Sequence, residues 1–86
     1  METKKEFINA ESLTKLGFYE TIGGEWKRKA TSRNGNEYTI RLALRRSIGN
    51  WTIYIAKAWE MMSQPYYGLN YADDVRRMCN NYGITI

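Results

Sequence analysis

Two stretches of strict alternation constrain this chain most. Tyr38, Ile40, Leu42 and Leu44 alternate with Thr39, Arg41, Ala43 and Arg45, and Trp51, Ile53 and Ile55 alternate with Thr52, Tyr54 and Ala56. Side chains along a strand point to opposite faces with period two, so each stretch reads as a strand with one apolar face to bury. Ser47-Ile48-Gly49-Asn50 between them is a hairpin signal. A bend at Ile48-Gly49 sets Leu44 against Ile53 and Leu42 against Ile55, with every large aliphatic on one side. A slip by one residue would scatter those side chains over both faces.

Residues 19–31 read as the strand before this pair, interrupted at Gly23-Gly24 by a bulge or bend. Its regular part runs from Trp26 to Thr31, and Arg33-Asn34-Gly35-Asn36-Glu37 joins it to the next strand as a hairpin. A two-residue turn at Asn34-Gly35 would set Lys29 against Ile40 and Lys27 against Leu42, on the core face. Burying two unpaired lysines is costly, so a longer loop is expected, with Trp26 against Leu44 and Ala30 against Ile40. Arg28 then falls on the core side near the sheet edge, its stem lying over apolar surface.

Helices flank the strands. Asn9 is a good N-cap for the first, Ile8 can staple onto Leu13, Glu11 and Lys15 suit the helix dipole, and Gly17 supplies the stop. In the second, Asn70 is the expected cap, Asp73 and Asp74 occupy the first turn, and Gly83 ends it. Tyr71, Val75, Met78, Cys79 and Tyr82 recur there at helical spacing. Within residues 57–69, Lys57 to Met62 fits a strand extension and a helical turn equally well, and Gln64-Pro65 marks an extended or turn dipeptide. The expected fold is therefore one α+β domain over residues 1–86, with residues 1–6 loose. It is a three-stranded antiparallel meander with two helices packed on one face, in the order α-β-β-β-α. Leu13, Leu16, Leu42, Leu44, Ile53, Ile55, Val75 and Met78 should share its core.

The 86 residues include no histidine and one cysteine, so the commonest general base and metal ligand is missing and no intrachain disulfide can form. Cys79 falls on the apolar stripe of the last helix as an inert core thiol. Asp73 and Asp74 are neighbours in a helix and do not share a face. No catalytic set, metal cluster or cofactor loop emerges, so the chain reads as a non-enzymatic binding protein without cofactor or metal. No apolar run is long enough to span a bilayer, and the expected compartment is the cytoplasm, with no membrane partner.

Two surfaces stand out. Trp59, Met61, Met62, Tyr66 and Tyr67 concentrate aromatic and methionine surface in one segment, a composition suited to a protein-binding hot spot. This makes a protein-binding module the leading functional expectation, with another protein as partner. The alternative is nucleic-acid binding on the outer sheet face, through Lys27, Lys29, Arg41 and Arg45 around Tyr54. The net charge of +4 is a mild excess, so its placement matters more than its size. The edges of a three-stranded meander also offer a route to a homodimer.

The α-β-β-β-α order is similar to that of double-stranded-RNA-binding domains. That resemblance implies a lysine-rich start to the last helix, where this sequence reads Asn70-Tyr71-Ala72-Asp73-Asp74. Carboxylates there repel phosphate, so duplex binding is not carried over. Ala10-Glu11-Ser12-Leu13-Thr14-Lys15-Leu16-Gly17-Phe18, followed by a hairpin and a final amphipathic helix ending in Gly-Ile, resembles small proteins of bacteria, phages and mobile elements. That resemblance brings no assigned function, and implies adaptors or inhibitors of phage type.

Overall fold

The two alternating stretches pair in the expected direction and on the expected face, in a different register. The computed structural model describes residues 6–45, 49–57 and 65–86, with the backbone alone at Arg45. Its elements are α1 (Ala10–Lys15), β1 (Tyr19–Glu20), β2 (Trp26–Thr31), β3 (Glu37–Arg45), β4 (Asn50–Lys57), β5 (Tyr66–Leu69) and α2 (Ala72–Asn80). The fold is a small α+β domain with an antiparallel sheet and two helices, but the sheet has five strands, not three, in the order β1-β2-β3-β4-β5. In the β3–β4 ladder, Leu44 pairs with Trp51, Leu42 with Ile53 and Ile40 with Ile55. This is two residues away from the expected pairing. A shift by two preserves the faces, and Ile40, Leu42 and Ile53 are fully buried. Leu44 does not join the core; it lies at the end of the ladder and is 44% exposed.

The extra strand β1 arises because Gly23-Gly24 makes a complete reversal rather than a bulge. The Thr21 amide donates to the Glu25 carbonyl at 2.7 Å and the Gly24 amide to the Thr21 carbonyl at 3.0 Å. Gly24 has φ of +81°, the left-handed conformation that closes a three-residue hairpin loop and that glycine adopts without steric cost. The β2–β3 hairpin repeats the pattern, with the Ser32 amide donating to the Asn36 carbonyl at 2.8 Å and the Gly35 amide to the Ser32 carbonyl at 2.9 Å. That loop pairs Trp26 with Leu42 and Arg28 with Ile40. The register again differs by two from the expectation, and Lys27 and Lys29 stay off the core face. The other added strand, β5, pairs with β4 through Trp51–Leu69 and Ile53–Tyr66, with an irregularity between them. β1 pairs with Trp26 and Lys27 alone, so among the described residues no strand pairs with Arg28 to Thr31 on that side.

Asn9 caps α1 as expected: its side chain accepts from the Ser12 amide at 2.9 Å, and the Ser12 hydroxyl accepts from the Asn9 amide at 2.9 Å. The same hydroxyl lies 2.8 Å from the Phe7 carbonyl and ties the incoming chain to the helix. That incoming chain is ordered by pairing. The Ile8 amide donates to Asn70 at 3.0 Å, the Ala72 amide donates to Glu6 at 2.8 Å, and Phe7 stacks on Tyr71 at 5.1 Å. The cap of α2 is Tyr71, not Asn70. The reason is Asp74, whose carboxylate accepts the Tyr71 amide at 3.1 Å and holds that residue at the boundary.

Both helix ends throw an apolar residue inward. The Phe18 amide donates to the Leu13 carbonyl at 2.9 Å and the Ile84 amide to the Cys79 carbonyl at 3.0 Å, the bonding of a glycine-terminated helix. Phe18 and Ile84 join Leu13, Leu16, Val75 and Cys79 over the apolar sheet face, with Met78 packed at the margin. At Gly17, φ is +88° and a β-carbon would collide with Arg28 Nη1. Arg28 sits on the core side of β2, as expected, and donates to the Leu16 carbonyl at the end of α1, where a cation complements the helix dipole.

Ile53→Ala should lower the unfolding free energy by about 2–4 kcal/mol through the cavity it leaves. Leu44→Ala should cost less than about 1 kcal/mol because its site is open. Urea denaturation of both variants checks the pair. Gly17→Ala should cost more than Gly35→Ala in the same assay. Both positions have positive φ, but a side chain at Gly35 meets nothing within 4 Å.

Candidate functional site

The helices occupy one face of the sheet, and the registers define what lies on the other. Tyr19 pairs with Lys27, Lys27 with Arg41, and Arg41 with Tyr54. Residues directly opposite on antiparallel strands share a face, so these four side chains form one row across β1, β2, β3 and β4. Strands lie about 4.8 Å apart, which makes the row about 14 Å long from first backbone to last. The Arg41 guanidinium lies 5.3 Å from the centre of the Tyr54 ring, within cation–π range. Lys29, paired with Thr39, adds a third cation in the next outward row.

The face has limits. Glu25 lies 4.0 Å from Arg41 Nη1, and Glu37, opposite Thr31, stands at the other end. Thr52 is buried on this side, so the accessible part is that of β1 to β3 and Tyr54. Lys27, Arg41 and Tyr54 are half-buried, whereas Lys29 is exposed and Tyr19 is 57% exposed. Of the five residues expected at a nucleic-acid surface, the structure brings Lys27, Lys29, Arg41 and Tyr54 together. The Arg45 side chain lies outside the described residues. Lys27 faces Arg41 rather than Ala43, and Tyr54 also faces Arg41, both following from the two-residue shifts. Tyr19 is the member that sequence reading missed. Its position beside Lys27 depends on the tight reversal at Gly23-Gly24, where the sequence pattern predicts only a bulge or bend within one strand.

Trp59, Met61 and Met62 lie outside the described residues. Tyr66 and Tyr67 belong to β5 and are 36% and 56% exposed. The Tyr66 hydroxyl lies 3.1 Å from that of Tyr82 beyond α2. Sequence reading left this strand undecided, although Pro65 followed by two tyrosines favours extended backbone.

The carboxylates of α2 have structural partners: Asp73 binds Arg76 at 2.7 Å, and Asp74 lies 3.5 Å from Arg77 as well as capping the helix. Cys79 is fully buried, and burial pushes its thiol up to about 12, with the Arg28 charge acting in the opposite direction. Among the described residues no helix is long and apolar enough to cross a membrane. Comparison with protein families, with curated proteins and with solved structures found no match.

Native Cys79 should resist alkylation by iodoacetamide at pH 8 and react fully in urea, because both access and thiolate are lacking in the fold. The unfolded thiol ionises near 9.0 and the folded one at about 12. The unfolded state thus binds fewer protons between these values. The thiol's contribution to stability is full below pH 9 and falls as pH rises above it, which urea titrations at several alkaline pH values measure.

Proposed function

We propose that the outer face of the sheet binds single-stranded nucleic acid and that the protein acts as a binding module rather than as an enzyme. The observation that carries this reading is the row Tyr19–Lys27–Arg41–Tyr54, two cations flanked by two aromatic rings on one accessible face. Cations attract the phosphate backbone through counterion release. Tyrosine rings offer stacking surfaces to unpaired bases, which a duplex keeps inside its own stack. Arg41 serves both ends of this chemistry, since its guanidinium lies beside the Tyr54 ring and can still reach a phosphate.

Fluorescence anisotropy with a labelled oligothymidylate and with a duplex of equal length tests the proposal. The single strand should bind more tightly. With Lys27, Lys29 and Arg41 each neutralising one phosphate, log affinity should fall against log salt with a slope of about −2. Tyr19→Ala, at an exposed site, should keep the fold and lose about 1–3 kcal/mol of binding, the contribution of one stacked base. Absence of binding at tens of micromolar protein, or indifference to Tyr19→Ala, rejects the reading.

The second reading is a protein-binding role, as an adaptor or inhibitor of phage or mobile-element type, through Trp59, Met61, Met62, Tyr66 and Tyr67. The exposure of the two tyrosines on β5 favours it. Under this reading a Trp59→Ala, Tyr67→Ala double variant keeps its thermal unfolding midpoint and loses a specific partner in affinity capture. Unfolding of the variant would assign those rings to the core instead.

A further inference from the structure

We propose that a gap beside the last residues of β3 is a docking site for an extended peptide carrying a lysine or arginine. β3 continues to Arg45, but β2 begins at Trp26, opposite Leu42. The chain before Trp26 turns away through the loop at residues 22–24. Ala43, Leu44 and Arg45 therefore pair with β4 on one side, while among the described residues no strand pairs with them on the other. In an antiparallel sheet alternate residues turn their amide and carbonyl to each neighbour. Part of the β3 backbone thus faces the vacated side.

A cavity of about 640 Å³ occupies that side, within the range of pockets that hold small ligands. Its walls come from both faces of the sheet. Glu20, Trp26, Leu44 and Trp51 line it from the core side, and Glu25 and Ala43 from the outer side. Walls drawn from both faces place the cavity in the plane of the sheet, at the position a further strand would take. An added strand brings backbone donors and acceptors to the free β3 groups and side chains to each face, the recognition mode in which an extended peptide extends a sheet.

The choice of a basic peptide follows from the charges at the cavity. Among the described residues, the titratable groups in its wall are Glu20 and Glu25, both carboxylates. Glu20 is exposed and makes no ion pair among the described residues, and Glu25 is held only at 4.0 Å from Arg41. Trp26, Leu44 and Trp51 supply an apolar wall along which the stem of a lysine or arginine can lie, with its head at Glu20. The gap is three residues long, so the affinity for a short free peptide should be in the millimolar range. This inference stands on the strand geometry and does not depend on nucleic-acid binding.

Chemical-shift titration of the full chain with Ac-Val-Lys-Val-NH2 tests it, with Ac-Val-Glu-Val-NH2 as the charge-reversed probe. The lysine peptide should shift the indole N–H signals of Trp26 and Trp51 and the amides of Ala43 and Leu44 at millimolar concentration. It should also slow hydrogen exchange of at least one β3 amide in the gap. The glutamate peptide should bind several-fold more weakly, and Glu20→Gln should narrow that difference. Leu44→Arg, at a partly exposed site, should keep the overall spectrum and abolish the shifts. The inference is overturned if millimolar lysine peptide leaves these signals unmoved, if both peptides bind equally, or if Leu44→Arg binds like the parent. It is also overturned if sedimentation shows a dimer whose gap is already filled by a second copy.

Discussion

The pairing of Ile40 with Ile55 and of Leu42 with Ile53 at the centre of the sheet is the constraint on which the other elements depend. These four side chains are almost completely removed from water, and burial of such a side chain stabilises by about 1.5–3 kcal/mol. A sheet this narrow cannot bury them alone. Leu13 and Leu16 from α1, Val75 and Cys79 from α2, and the inward residues Phe18 and Ile84 complete the enclosure. Because strand side chains alternate, fixing those four inward also fixes Arg41 and Tyr54 outward. The candidate binding face is thus a consequence of core packing before it is anything else.

The same parity explains what could be read from the sequence. Which face each β3 and β4 residue takes was legible, since a slip by one would expose the whole aliphatic set. The register itself was not, because a slip by two leaves every face unchanged and the hydrophobic pattern is blind to it. Turn geometry decided the matter. The loop after Thr31 pairs Trp26 with Leu42, and the loop after Thr21 folds back Tyr19–Glu20 as a separate strand. The ends of the first helix were legible because Asn9 and Gly17 each have a local job, whereas the part Ser12 takes in the cap came only from the structure. The start of α2 was displaced by one position because Asp74 reaches back to the Tyr71 amide, a choice between Asn70 and Tyr71 that cap preference alone decides wrongly.

Charge required the structure. Lys27, Arg28, Lys29 and Arg41 lie on adjacent strands, yet they do different work. Arg28 is turned inward, donates to the Leu16 carbonyl at the end of α1 and lies near enough to Cys79 for its charge to be felt there. It also approaches Gly17 closely, at a position where the positive φ already favours glycine. One cation of the four is thus structural, and three remain on the outer face. A composition-level excess of positive charge does not distinguish these roles, whereas strand parity does.

One short loop connects the two surfaces. The reversal at Gly23-Gly24 brings Tyr19 alongside Lys27 and so completes the row of two rings and two cations. The same reversal ends the run of β2 at Trp26 and leaves Ala43 to Arg45 of β3 without a neighbour on that side. A β2 extended by three residues would fill the gap beside β3, but it would carry the turn outward and withdraw Tyr19 from Lys27. The outer row and the gap are therefore joint consequences of the one reversal at the two glycines, and neither survives an extended β2.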